Sequence, residues 1–156
     1  VNTEFSEEFS RLSVDLLDQS IVKINHCLGQ LTCDQVWWRP NPSMNSIGNL
    51  MVHLAGNLNQ WGVVPFTLAS DNRDRESEFD PKLLKEVDEL VQELNSLVNA
   101  AKAQWQYLSV SQLCKTINIQ GVYVFVHLDS VVGFKFGFKF GKCCGVLNLD
   151  LNLDLS

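Results

Sequence analysis

Between residues 84 and 108 the apolar side chains Leu84, Val87, Val91, Leu94, Val98, Ala101, Trp105 and Leu108 recur in steps of three and four. That period is the helical one, and it gathers the eight side chains into a single seam suited to packing against other helices. A chain that commits this much sequence to one seam has to supply partner helices. Asp80-Pro81 is expected to start this helix, with Asp80 as N-cap and proline in the first turn.

Two further segments carry the same period. Phe5, Phe9, Leu12 and Leu16, then Leu17, Ile21, Ile24, Leu28 and Leu31, draw a slowly drifting apolar stripe along a long first helix. Glu7, Glu8 and Lys23 stand off that stripe and suit water, and His26 is read as exposed and without a role. The helix ends before Thr32-Cys33-Asp34, where Thr32 or Asp34 caps a short turn carrying Trp37 and Trp38. Trp37, Trp38, Trp61 and Trp105 are read as core packing. Arg39-Pro40-Asn41-Pro42 then breaks helical backbone, since each proline pushes its predecessor out of the helical region.

The next helix, placed from about Ile47 to Val63 with Ser43, Asn45 or Ser46 as its cap, is unlike the others. At roughly 100° per residue it carries Ile47, Leu50, Leu54, Leu58 and Trp61 on one face. Asn49, His53, Asn57 and Gln60 cluster on the neighbouring one. Imidazole and carboxamide groups are buried only where something satisfies them, so this row is expected to line a metal or ligand cavity or to edge into solvent. In the loop that follows, Arg73-Asp74-Arg75 either clamps the loop to the bundle or faces an anionic substrate. A loop salt bridge of that kind is usually worth little.

After Gly121 the character changes. Val122-Tyr123-Val124-Phe125-Val126 is β-branched and aromatic. Phe134-Lys135-Phe136-Gly137 then repeats as Phe138-Lys139-Phe140-Gly141, and Leu147-Asn148-Leu149-Asp150 repeats as Leu151-Asn152-Leu153-Asp154. Both repeats alternate with period two, as strands do, and Lys142-Cys143-Cys144-Gly145 is placed as the turn between them. Two regions are therefore expected: a mainly α bundle over residues 1–121 and an atypical low-complexity tail over 122–156, a β-hairpin or disordered.

Taken together, the stretch WWRPNPSMNSIGNLMVHLAGNLNQW and the later DNRDRESEF resemble the first half of a DinB-like protein. This superfamily of metal-binding up-down four-helix bundles includes thiol transferases and many uncharacterised members. The resemblance runs from about Phe5 to about Gly121 and implies three family helices. It also implies a divalent metal (zinc, nickel or iron) that activates a water or a thiol for thiol transfer or hydrolysis of a small amide. His53 matches the family's first metal-binding histidine. Asn49, Asn57 and Gln60 would line the cavity or orient His53, substrate or water. The family draws its other two ligands from a His-x-x-x-His pair on the last helix, which this sequence lacks. His127 is the one other candidate ligand. The tail stands where that helix should be, which suggests a frameshifted or repeat-expanded C-terminus and an impaired enzyme. The alternative is a non-catalytic or degenerate member that binds partners.

Composition narrows the classes further. A net charge of −6 over 156 residues argues against a nucleic-acid surface, which needs clustered Lys and Arg. No apolar run is long enough to span a bilayer, and the acidic amphipathic start differs from a signal peptide, so no membrane contact and a cytoplasmic location are expected. Cys27, Cys33, Cys114, Cys143 and Cys144 match neither a disulfide framework nor paired zinc-binding motifs and read as reduced, incidental thiols. The adjacent Cys143 and Cys144 could instead bind a soft metal or form a strained disulfide. There is no phosphate loop, nucleophile elbow or catalytic carboxylate pair. The partners expected are a small-molecule substrate and, with apolar seams left open by a missing fourth helix, a second copy of the chain as a homodimer.

Overall fold

The computed structural model describes residues 2–67, 69–119 and 122–125. The fold is mainly helical. Three long helices, α1 (Asn2–Leu28), α3 (Ile47–Leu58) and α4 (Val87–Trp105), share one core, with short helices α2 (Cys33–Trp37) and α5 (Val110–Leu113) on the connections. Strands β1 (Thr116–Ile119) and β2 (Val122–Phe125) pair antiparallel, Thr116 opposite Phe125 and Ile119 opposite Val122, on either side of the expected boundary at 121. The expected turn at Lys142 to Gly145, both repeats, and His127, Cys143 and Cys144 lie outside the described residues.

Helix starts follow local chemistry. Thr32 caps α2 and Ser46 caps α3, each accepting from the backbone of the third helical residue, whose Gln35 or Asn49 side chain reaches back to the cap. Such reciprocal caps satisfy two otherwise orphaned N–H groups. On α1, Arg11 bridges Glu8 at 2.6 Å and Asp15 at 2.7 Å. The hydrogen bond from Arg11 holds the Glu8 carboxyl below its ordinary value, and the pair is fully exposed and screened by salt.

The core closes around Leu17, Ile21, Ile24 and Leu28 of α1, Met51, Leu54 and Leu58 of α3, and Leu90, Leu94, Val98 and Trp105 of α4. The first-helix expectation needs correction in its N-terminal half. Phe5, Leu12 and Leu16 are exposed, while Ser6, Ser10 and Ser13 are buried. Continuing the Leu17, Ile21, Ile24, Leu28 row back by fours and threes lands on the serines, not the phenylalanines. Two of them return their hydroxyls to the backbone, Ser6 to Thr3 and Ser13 to Phe9, which makes a buried serine tolerable.

The start of the seam helix also differs from expectation. Asp80 does not cap α4; its side chain accepts from Lys82 N in a turn, and the helix begins at Val87 with Glu86 as its cap residue. The reason is tertiary. The Asp80 carbonyl accepts from Asn49 and Arg39, and the Lys85 carbonyl accepts from the Trp37 indole at 2.9 Å. Both carbonyls take side-chain donors from other elements, and the Asp80 carbonyl also accepts from Leu83 N at 3.1 Å, which closes a tight turn in place of a helical one. Leu84 consequently leaves the seam and is exposed, and Leu90 takes a buried place in it. Trp38, expected in the core, is exposed, whereas Trp105 is buried with its indole donating to the Gly62 carbonyl at 2.9 Å.

Helix α3 keeps its expected extent in two pieces. One π-helical turn, Asn59–Val63, prolongs it, followed by a 3₁₀ turn at Val64–Phe66. The core-facing side of α3 centres on Met51, Leu54, Ala55 and Leu58, Ile47 and Leu50 are half-buried, and Asn49 is buried on the other face. No described helix is long and apolar enough to cross a membrane.

Candidate functional site

The polar row of α3 meets the segment 71–80. Asn49, wholly buried, sits at the upper end. Its carbonyl oxygen accepts from Ser46 Oγ and from Arg39 Nη2, both at 2.6 Å, and its amide donates to the Glu78 carbonyl at 2.9 Å and the Asp80 carbonyl at 3.3 Å. One side chain thus caps a helix and fastens a loop to it.

One turn on, His53 Nδ1 lies 2.7 Å from Glu78 Oε2. Glu78 is buried and is gripped by Arg73, whose Nε donates to Oε1 at 2.6 Å and whose Nη2 donates to Oε2 at 2.9 Å. The fork-to-fork geometry is the strong form of a guanidinium–carboxylate pair. Side-chain exposures of 8% for Arg73 and 6% for Glu78 place this pair in the interior, against 19% for His53.

Arg73 spends its remaining N–H groups along the same row. Nη1 donates to Gln60 Oε1 at 2.7 Å and reaches Asn57 Oδ1 at 3.4 Å, and Nη2 also reaches the His53 carbonyl at 3.3 Å. Gln60 in turn donates to Asp71 Oδ2 at 2.7 Å, and Asp71 Oδ1 accepts from the Arg73 backbone. The four residues singled out in the sequence, Asn49, His53, Asn57 and Gln60, therefore all touch this one strap. Phe79 packs its ring 4.9 Å from the imidazole and closes one side.

A glycine makes the approach possible. A Cβ added at Gly56 would overlap Glu78 Oε1 and stand 3.0 Å from Arg73 Nε. The ion pair lies flat on the helix at a position without a side chain. The same device recurs at Gly48, where the Trp37 ring would be 2.6 Å from an added Cβ.

Two residues central to this network, Glu78 and Asp71, were not singled out from the sequence. Both sit in a charged loop where acids are ordinarily solvated. The available signal was Gly56, since a glycine inside a helix costs about 1 kcal/mol relative to alanine and usually has a packing reason. Arg73, left between two readings, clamps the loop; Arg75 is exposed. The clamp is buried, so the solvent screening that weakens an exposed loop salt bridge does not act on it.

A family model described as protein of unknown function (DUF1572) matches residues 4–127. The chain belongs to the DUF1572 family. The match takes in the described bundle from Glu4 onward, including every residue of the DUF1572 strap and the polar row it covers. No curated protein and no solved structure matches the chain.

As for metal donors in this DUF1572 chain, no three His, Cys, Asp or Glu side chains among the described residues come together as a binding group. Cys27, Cys33 and Cys114 are free thiols.

Proposed function

We propose that the protein is a DinB-like bundle of the metal-dependent hydrolase or thiol-transferase type whose metal chemistry is impaired, with His53 in the first ligand position. The observation that carries this is His53 Nδ1 at 2.7 Å from the Glu78 carboxylate. A carboxylate on one ring nitrogen is the usual means of orienting an imidazole that ligates through the other.

The fit to a zinc, nickel or iron ion stops there. Catalytic sites of this kind hold the ion through three protein donors, and no three come together among the described residues. Glu78 is no substitute, because Arg73 occupies both its oxygens. The guanidinium, 3.1 Å from His53 Nδ1, cancels the charge of the carboxylate beside the ring, which leaves that carboxylate little attraction for a cation. Gln60, the proposed orienter of water or substrate, is engaged by Arg73 and Asp71. We assign no reaction step to a metal.

Elemental analysis of the purified full chain, with His53→Ala and His127→Ala variants alongside, tests the reading. The expected result is metal-free protein that takes up no zinc or nickel on titration. Near-stoichiometric metal that disappears in the His53→Ala variant would overturn the impairment and restore an active metal enzyme with a small-molecule substrate.

A second reading, a non-catalytic bundle that binds partners, is supported by the polar face of α3 being spent on the chain's own segment 71–80. The absence of nucleic-acid partners remains part of the proposal on the strength of the acidic composition, and a cytoplasmic location remains part of it as well. So does a homodimer, for which the support is the row Phe5, Leu12 and Leu16, spaced by seven and four residues on α1 and exposed by 63%, 48% and 40%.

A further inference from the structure

We infer that Glu78, clamped by Arg73, fixes His53 as the Nδ1–H tautomer and leaves Nε2 as the nitrogen through which this site meets any cation or proton donor. The inference rests on reading His53 as the reactive group of the site. It concerns the protons of the ring itself and does not require a metal.

Two groups compete for Nδ1. Glu78 Oε2 lies at 2.7 Å and Arg73 Nη2 at 3.1 Å. A carboxylate oxygen held by a guanidinium has only lone pairs to offer, so the shorter contact requires the proton on nitrogen. Arg73 does not need Nδ1 as an acceptor, because the same Nη2 donates to Glu78 Oε2 at 2.9 Å and reaches the His53 carbonyl at 3.3 Å. The choice between the two ring nitrogens is therefore made by the carboxylate.

The carboxylate cannot swing away. Its other oxygen is held by Arg73 Nε at 2.6 Å, and its own backbone carbonyl is held by Asn49. Arg73 is braced against Gln60. Turning the imidazole over would trade the Glu78 bond for a carbon edge, and Phe79 packs against the ring. Nε2 has no hydrogen-bond partner among the described residues, and the side chain keeps 19% of its surface exposed. Free histidine in water favours the opposite tautomer, with the proton on Nε2. Glu78 and Arg73 are positioning residues that reverse this preference.

Long-range proton–nitrogen correlation spectra of the full chain labelled with ¹⁵N-histidine, recorded where the ring is neutral, read the tautomer directly. His26 and His127 serve as internal references, and a His53→Ala variant assigns the signal. The expected result is a protonated Nδ1 and an unprotonated Nε2 for His53, giving way to the Nε2–H form in Glu78→Ala. Gly56→Ala should do the same, since it removes no charged group and only displaces the pair. A wild-type His53 protonated on Nε2 would overturn the inference, as would a tautomer unchanged in folded Glu78→Ala or Gly56→Ala. If Glu78→Ala does not fold, the wild-type spectrum and Gly56→Ala decide. The spectrum is taken without metal, so an Nδ1–H ring upholds the inference even if metal analysis overturns the impaired-enzyme reading. An Nε2–H ring sinks it whatever that analysis finds.

Discussion

At the scale of single residues, Glu78 is the most consequential side chain outside the apolar core. A buried ion pair is nearly neutral in net stability, because desolvating two charges offsets their attraction. Removing one partner is another matter, since the other stays buried and unpaired. Glu78→Ala is therefore expected to destabilise the fold by about 3–5 kcal/mol, read as a lowered urea midpoint. Gly56→Ala illustrates the converse. In an open helix it would add about 1 kcal/mol of stability, but here the new methyl displaces Glu78 Oε1 and Arg73, and a net loss of about 1–3 kcal/mol is expected in the same experiment. A stabilised Gly56→Ala protein would mean that the pair does not lie against the helix.

At the scale of elements, α4 shows how tertiary bonding edits a clear pattern. The row read from the sequence includes Leu84 and passes from Val87 to Val91 without Leu90, yet Leu84 is 71% exposed and Leu90 is 2% exposed. Leu90→Ala is expected to cost about 2–5 kcal/mol, whereas Leu84→Ala should fall within about 0.5 kcal/mol of the parent in thermal unfolding. Most of α4 was legible in its spacing, because from Leu94 to Leu108 the apolar row and the buried row coincide. Its start was not legible. The carbonyls that keep 80–86 from joining the helix are bonded to Asn49, Arg39 and Trp37, which lie more than thirty residues earlier in the chain. The caps at Thr32 and Ser46 depended only on neighbours three residues away, and the sequence named both among its candidates.

At the scale of the whole molecule, two features govern behaviour in solution. The segment 71–80 ties the far side of α3 down through polar contacts, while α1 and α4 are joined by the apolar core and by the Lys102 to Asp18 ion pair at 2.6 Å. The exposed row Phe5, Leu12 and Leu16 runs along α1 roughly 100° around the helix from its buried serines. Light scattering of the full chain is expected to give a mass above that of the monomer, reduced in a Phe5→Glu, Leu12→Glu double variant. A monodisperse monomer at high concentration would refute the association.

The sequence by itself determined the three long helices, the caps of α2 and α3 and the existence of a polar row on α3, because each follows from side chains three or four positions apart. It also marked His53 as the centre of that row. What only the tertiary structure decided is what the row faces. Asn49, His53 and Gln60 are satisfied by Glu78, Asp71 and Arg73, residues eleven to twenty-nine positions away in an irregular loop. A helix face displays which groups need partners through its period, whereas the partners of buried polar groups are chosen by where a loop without any period happens to be fastened.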